Sequence, residues 1–171
     1  AQLNRRHDLR SLARAEKLVL PSRERALVAR LALTRAVALN GLGQVDEADA
    51  EVRRVLKSVP ENAIEVRRDL WWMAGVIAFA RRDLDSSASS LREALRLAER
   101  HRHHKSVAEI SANLGMVEGR RGRIELARRL FNRMLRYKRR SGDLHGVGMA
   151  LNELGRLDLH AGDLRDARHR F

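Results

Sequence analysis

The chain has 171 residues, of which 44% are hydrophobic and only 4% aromatic, so its apolar content is too high for a disordered chain. It has no cysteine, which excludes disulfides, thiolate metal sites and cysteine nucleophiles. A net charge of +13, from 35 basic and 22 acidic residues, favours acidic partners, nucleic acid or an anionic surface. Abundant Ala, Leu and Arg, with only two prolines, predict an all-α fold.

The elements are predicted to form one helical array over residues 1–171. Pro21 lies 39 residues before Pro60, so Leu9 to Leu20 is predicted to be the second helix of a truncated repeat within residues 1–21. Four hairpins, each made of helix A, a tight turn and helix B, are predicted to follow. They cover residues 29–62, 68–101, 108–141 and 148–171. Since the last one stops inside helix B, we expect the chain to be a piece of a longer protein.

The repeats are recognised by stretches that recur every 39 or 40 residues and read NGLGQVDEADAEV, FARRDLDSSASSL, EGRRGRIELARRLF and LHAGDLRDARHRF. Their turn position holds, in order, Gly43, Arg82, Gly122 and Gly162. Upstream of each turn, a small residue interrupts an apolar segment of helical period: Ala36, Gly75, Gly115 and Gly155. Glycine inside a helix costs about 1 kcal/mol relative to alanine. Its recurrence therefore predicts that a neighbouring helix approaches helix A closely there.

These features resemble the tetratricopeptide repeat family, with its pattern W-x2-L-G-x2-Y, then A-x3-F, then P. The third unit supplies Leu114, Gly115, Ala127 and Phe131, and the fourth supplies Leu154, Gly155, Ala167 and Phe171, whereas the tyrosine is absent from every unit. A period of about 40 rather than about 34 residues is similar to that of kinesin light chains, peptide-sensing bacterial regulators and LuxR-type activators. The resemblance implies a right-handed α-solenoid of antiparallel helix pairs, with about four repeats after a preceding partial helix.

The resemblance also implies that the A helices line a concave groove that binds a protein or peptide, possibly an acidic one. In the apolar run LWWMAGVIAFA, from Leu70 to Ala80, the side chains of Trp72, Val76 and Phe79 share one helical stripe and are the expected anchors. The alternative, that Trp72 is ordinary core, stays open. Transfer by position adds Arg30, Asn40, Asp69, Glu109, Met116, Arg120, Asn152, Arg156 and His160 to the expected groove.

A second surface is basic, on helix B of the third unit. This predicted convex ridge consists of Arg128, Arg129, Arg133, Arg136, Arg139 and Arg140. Such a ridge is suited to phosphate groups, so binding of nucleic acid or an anionic surface is the alternative function. The arginines are also explained by solvation of the helix or by contact with an acidic domain of the same protein.

No motif indicates catalysis or a cofactor. His101 and His104 share a helical face, but no local carboxylate completes a metal site with them, so no metal is expected. The chain contains no glycine-rich phosphate loop, HExxH or G-x-S-x-G. We expect a non-catalytic, cytoplasmic binding scaffold of a bacterial regulatory or signalling protein, without membrane contact. Whether it forms homo-oligomers stays open.

Overall fold

The computed structural model of the chain describes residues 25–160, with side chains from Leu27 to Leu159, and this part contains seven α-helices and no strand. The helices are α1 (Arg25–Gly41), α2 (Val45–Ser58), α3 (Ile64–Ala80), α4 (Leu84–Arg100), α5 (His104–Arg120), α6 (Ile124–Arg140) and α7 (Leu144–His160). The pairs α1–α2, α3–α4 and α5–α6 are the predicted hairpins, and α7 is helix A of the fourth. The predicted all-α class of stacked helix pairs is confirmed.

Predicted features at both ends lie outside the described residues. These are the helix at Leu9 to Leu20 and the end of the fourth repeat, including Gly162 and Phe171. The four A helices each begin four residues before the predicted repeat starts at 29, 68, 108 and 148. The chain divides into two compact units, residues 1–97 and 98–171, with the division inside α4.

The turns repeat one backbone design. At the end of α1, the amide of Gly43 donates to the carbonyl of Asn40 at 3.1 Å and that of Gln44 donates to the carbonyl of Leu39 at 2.9 Å, which is a Schellman motif. The same pair of hydrogen bonds ends α3, α4, α5 and α6. Each motif needs one residue with positive φ, and these are Gly43, Arg82, Arg102, Gly122 and Gly142. Three of the five are glycine, which adopts this conformation without a steric cost.

Two of the helices that follow these turns are capped by aspartate. Oδ1 of Asp83 accepts the amide of Ser86 at 3.0 Å, and Oδ1 of Asp143 accepts the amide of Gly146 at 2.8 Å. The hydrogen bond from the Ser86 side chain holds the pKa of Asp83 below its usual value. The Lys138 ammonium, 2.7 Å away, does the same for the pKa of Asp143. Both caps are therefore carboxylates at neutral pH, the form that a helix N-terminus favours.

The cores of the two units contain apolar residues that recur on the B helices. In residues 1–97, Ala48, Val52 and Val55 of α2 are buried with α1 and α3. In residues 98–171, the buried core of α6 includes Ala127, Phe131 and Met134, packed with α7. These side chains follow each other at helical offsets of three and four, so one stripe of each B helix faces its core.

The small residues of the A helices allow the close approach that the sequence predicts. A Cβ added to Gly75 would lie 2.5 Å from Cγ of Leu91, and one added to Gly115 would lie 3.0 Å from the ring of Phe131. In the second hairpin, the buried Ser87 hydroxyl also donates to the Gly75 carbonyl at 2.8 Å. The glycines thus fix how closely A and B pack, and with it which side of each A helix is left outside the hairpin.

Candidate functional site

Every A helix has one face whose residues are not buried. It is defined by the register of Asp69, Trp72, Val76 and Phe79, whose offsets of three, four and three place them on one side of α3. The equivalent positions in the other units, at steps of 39 or 40 residues from one unit to the next, are Arg30, Leu33, Val37 and Asn40 on α1; Glu109, Ala112, Met116 and Gly119 on α5; and Met149, Asn152, Arg156 and Leu159 on α7. None of these sixteen residues is buried. We call this set the open face.

The open face also holds most of the exposed large apolar side chains. Within the described residues there are six of these, and Val37, Met116, Met149 and Leu159 belong to the open face, while Leu27 and Leu144 do not. Val37 is 50% exposed and Met149 is 52% exposed. Exposed apolar side chains that gather on one helical face are typical of interaction sites.

On α3, the apolar run is divided between two environments. Leu70 and Ile77 are buried in the core, whereas Trp72, Val76 and Phe79 are half-buried. The indole Nε1 atoms of Trp71 and Trp72 are buried and have no hydrogen-bond partner within the described chain. Since a guest cannot reach a buried Nε1, Trp72 can contact a guest only through exposed parts of its ring.

Three charged residues of the open face take part in ion pairs. Arg30 lies 3.8 Å from Glu65, and Arg156 lies 3.4 Å from Glu153. Asp69 accepts from its neighbour Arg68 at 2.8 Å. The side chains of Arg30 and Arg156 are more than half exposed. Exposed pairs contribute about 0–1 kcal/mol each, so these two arginines can exchange an internal partner for an external one at little cost.

The expected groove residues fall into three groups. Ten lie on the open face: Arg30, Asn40, Asp69, Trp72, Val76, Phe79, Glu109, Met116, Asn152 and Arg156. Arg120 is exposed but stands one position past the face, and His160 has the same register with a side chain outside the described residues. Val37, Met149 and Leu159 were not among the expected residues. Val37 lies one repeat before Val76, and Met149 and Leu159 lie two repeats after Asp69 and Phe79, so the repeat register would have found them.

Two arginines of the predicted basic ridge form ion pairs with acidic residues of the same chain. Arg128 pairs with Asp158, which is fully buried, and Arg133 pairs with Glu99. Arg129, Arg136, Arg139 and Arg140 are exposed. The ridge is therefore interrupted by internal ion pairs, and its free cations form smaller groups.

Sequence reasoning also missed a pair of buried acids. Glu118 and Asp158 occupy the position of the missing family tyrosine, and both are fully buried. Oε1 of Glu118 lies 3.5 Å from Nη1 of Arg121, and its Oε2 lies 3.4 Å from Nη1 of Arg123. Buried carboxylates require such partners because an unpaired buried charge is costly. We assign these pairs a structural role, because both carboxylates are fully buried and cannot reach a guest.

The described part of the chain shows neither a metal site nor a membrane-spanning helix. In that part no group of three or more His, Cys, Asp or Glu side chains is placed to hold a metal ion. Between residues 25 and 160, no helix has the length and apolar character needed to cross a bilayer.

The structure is similar to solved tetratricopeptide-like proteins. One is BtubC (BKLC) from P. vanneervenii, with a TM-score of 0.79 and 16% identity, over 99% of this chain and 68% of that one. Another is a Podosopora anserina putative kinesin light chain with nearly identical TPR-like repeats (TM-score 0.74, 15% identity, 99% and 85% coverage). A third is the Rap conjugation gene regulator of plasmid pLS20 in complex with the Phr* peptide (0.71, 19%, 99% and 48%).

At these identities the likeness shows the fold, and it agrees with the resemblance expected from the repeat motifs. No curated protein sequence matches the chain. The model of the MalT-like TPR region matches residues 29–171, which is most of the chain. The chain therefore belongs to the MalT-like TPR region family.

Proposed function

We propose that the chain is a non-catalytic scaffold that binds a peptide or protein on its open face. The observation that carries this proposal is the register. The same four positions are not buried on any of the four A helices, and four of the six exposed large apolar side chains of the described residues occupy them. Random surface exposure would not follow the repeat. A tetratricopeptide fold commonly serves protein binding, and the Rap regulator in the comparison holds a peptide.

The side chains of the open face suit a guest with apolar anchors and acidic or carbonyl groups. Val37, Met116 and Met149 supply apolar contact area, and methionine adapts its shape to varied partners. Arg30 and Arg156 can leave their surface pairs to hold a carboxylate. Stacked helices present this surface in a preformed state, which lowers the entropy cost of binding.

The wider setting is part of the same proposal. We place the scaffold in the cytoplasm, within a larger bacterial regulatory or signalling protein, where it senses or holds a partner. The family match and the peptide-bound regulator among its structural relatives support this setting. Binding of nucleic acid along the ridge receives less support, because Arg128 and Arg133 are already paired inside the protein.

The test uses a peptide selected for the purpose. A random peptide library is displayed on phage and selected on the immobilised chain, and the recovered peptide is measured by calorimetry at low and high salt. Met149→Glu and Val37→Glu each place a charge on the open face, in different units of the chain. Leu144→Glu is the matched control, because Leu144 is 82% exposed on the same helix as Met149 but lies off the face.

At least one open-face variant should weaken the peptide about tenfold or more, since a buried unpaired charge costs more than 1.4 kcal/mol, while Leu144→Glu should leave binding unchanged. Equal effects of all three variants would contradict the proposal. Binding that disappears at high salt and is unaffected by all three substitutions would also contradict it, because this result is expected for a peptide bound to the basic ridge.

A further inference from the structure

A cavity of about 420 Å³ lies between the start of α5 and the end of α6, on the side of the third hairpin away from the open-face register. It is lined by His104, Val107, Ala108, Arg133, Arg136, Tyr137, Arg140 and Ser141. All eight residues belong to the unit formed by residues 98–171. The four that come from the body of α6 follow offsets of three, one and three, so they share one face of that helix.

The cavity has an excess of positive charge. Arg136 and Arg140 are exposed, and within the described chain neither has an ion-pair partner. Arg133 pairs with the Glu99 carboxylate. Three guanidinium groups and one carboxylate therefore leave a local charge of about +2, which matches the charge of about −1.5 to −2 on a phosphate monoester at neutral pH.

The rest of the lining is apolar. Val107 and Ala108 are buried core residues that form its floor, and the half-buried ring of Tyr137 forms part of its wall. The Tyr137 hydroxyl has no hydrogen-bond partner among the described residues, so it can donate to a guest. The Ser141 hydroxyl instead donates to the carbonyl of Lys138 at 3.1 Å.

We propose that this cavity binds a small organic phosphate, with its phosphoryl group on Arg136 and Arg140 and its apolar body against Val107 and Tyr137. Guanidinium groups favour phosphate because their donors match its oxygens in pairs. The volume is that of a small-molecule site, and the mixture of apolar floor and few charged groups is typical of one. Arg129 and Arg139 of the ridge do not line the cavity, so the site does not require a polymer.

The experiment exploits Tyr137, which is the only tyrosine of the chain. Biosynthetic replacement by 3-fluorotyrosine gives the 171-residue chain a single fluorine signal inside the cavity. The probe is phenyl phosphate, compared with inorganic phosphate, which lacks the apolar body, and phenol, which lacks the charge. The test variant is Arg136→Gln/Arg140→Gln. Its matched control, Arg129→Gln/Arg139→Gln, removes two exposed arginines of the same helix outside the cavity.

Phenyl phosphate should shift the fluorine signal saturably and bind more tightly than either reference compound. The cavity variant should weaken phenyl phosphate about tenfold or more, as expected for the loss of two charge-assisted contacts, and the control should change it less than about twofold. Equal weakening by both variants would overturn the proposal in favour of general electrostatic attraction. Circular dichroism checks that both variants are folded. Absence of a saturable shift in the parent chain up to about 10 mM phenyl phosphate would also overturn the proposal.

Discussion

The second and third hairpins have the same helix register but different side chains at several equivalent positions. Position by position, α3 and α5 have Gly75 and Gly115 at the point of close approach, and the arginines Arg81 and Arg121 just past their ends. Between these positions stands Ala78 in one and the buried Glu118 in the other. Both repeats therefore share one backbone arrangement, whereas the ion pairs next to the turn differ because single side chains differ.

The two arginines show this most clearly. Arg81 pairs at the surface with Asp49 at 2.9 Å and with the exposed Asp46 at 3.5 Å. Arg121 instead lies beside the fully buried Glu118, with 17% of its own side chain exposed. A surface pair contributes about 0–1 kcal/mol, whereas removing one partner of a buried pair leaves a charge that cannot reach water. The same residue type at the same position thus has two different energetic roles.

The largest expected effect comes from breaking the buried pair. Arg121→Met should lower the free energy of unfolding by about 2–3 kcal/mol, somewhat less than a full buried-pair loss because Arg123 stays near Glu118. Arg81→Met, its counterpart, should cost less than about 1 kcal/mol. Urea unfolding followed by circular dichroism measures both.

Adding Glu118→Leu to Arg121→Met should restore most of the loss. The first repeat already has a buried leucine, Leu39, at this position, and replacing a buried ion pair by an apolar residue is often neutral or stabilising. If Arg81→Met proved as damaging as Arg121→Met, or if Glu118→Leu gave no recovery, burial would not be what distinguishes the two arginines.

The glycines at the close approach should give the next largest difference. An added Cβ at Gly75 would lie 2.5 Å from Cγ of Leu91 and 3.3 Å from its backbone nitrogen, whereas at Gly115 the nearest atoms are ring carbons of Phe131 at 3.0 Å. Overpacking costs about 1–3 kcal/mol, and the better helix propensity of alanine returns about 1 kcal/mol. Gly75→Ala should therefore destabilise by about 2 kcal/mol, and Gly115→Ala by less than about 1 kcal/mol.

A double-mutant cycle sharpens this comparison. Leu91→Ala leaves a cavity when made alone, but in the Gly75→Ala background it also removes the clash. The two substitutions together should cost less than the sum of their separate costs, by about 1 kcal/mol. Additive costs, or a greater loss for Gly115→Ala than for Gly75→Ala, would show that the steric contact with Leu91 is not the cause.

These differences also explain what the sequence could and could not predict. The hairpins and their close approach follow from glycines and apolar residues that repeat every 39 or 40 positions, and these patterns are visible in the sequence alone. The burial of Glu118 and Asp158 is not visible there. Asp158 depends on Arg128, which is 30 residues away on another helix. A pairing across helices requires packing geometry that a local pattern does not contain.

The binding surface was partly predictable for the same reason. Trp72, Val76 and Phe79 can be identified from the sequence because they lie in an apolar run. The repeat register then gives the equivalent positions in the other units. Met149 is one of several apolar residues between Val147 and Leu151, and Leu159 stands between Asp158 and His160, so the local sequence singles out neither of them. Their significance depends on exposure, which the structure measures and the sequence does not.

The turns provide the smallest and most local difference between the two hairpins. Arg82 and Gly122 occupy the same position and have φ values of 62° and 76°, a region that costs a residue with a side chain about 1–2 kcal/mol. Gly122→Ala should destabilise by about 1 kcal/mol, and since an added Cβ would meet nothing within 4 Å, the loss reflects the backbone alone. Arg82→Gly should stabilise by only about 0.5 kcal/mol, because glycine also gains entropy in the unfolded chain.

Arg82→Ala separates these two contributions, because it removes the long side chain while keeping the strained conformation. It should leave the urea midpoint close to that of the parent chain, whereas Arg82→Gly should raise it. If both substitutions raised the midpoint equally, the effect would come from loss of positive charge near Arg81 rather than from φ. The turn of the second hairpin would then differ from that of the third in its electrostatics and not in its backbone.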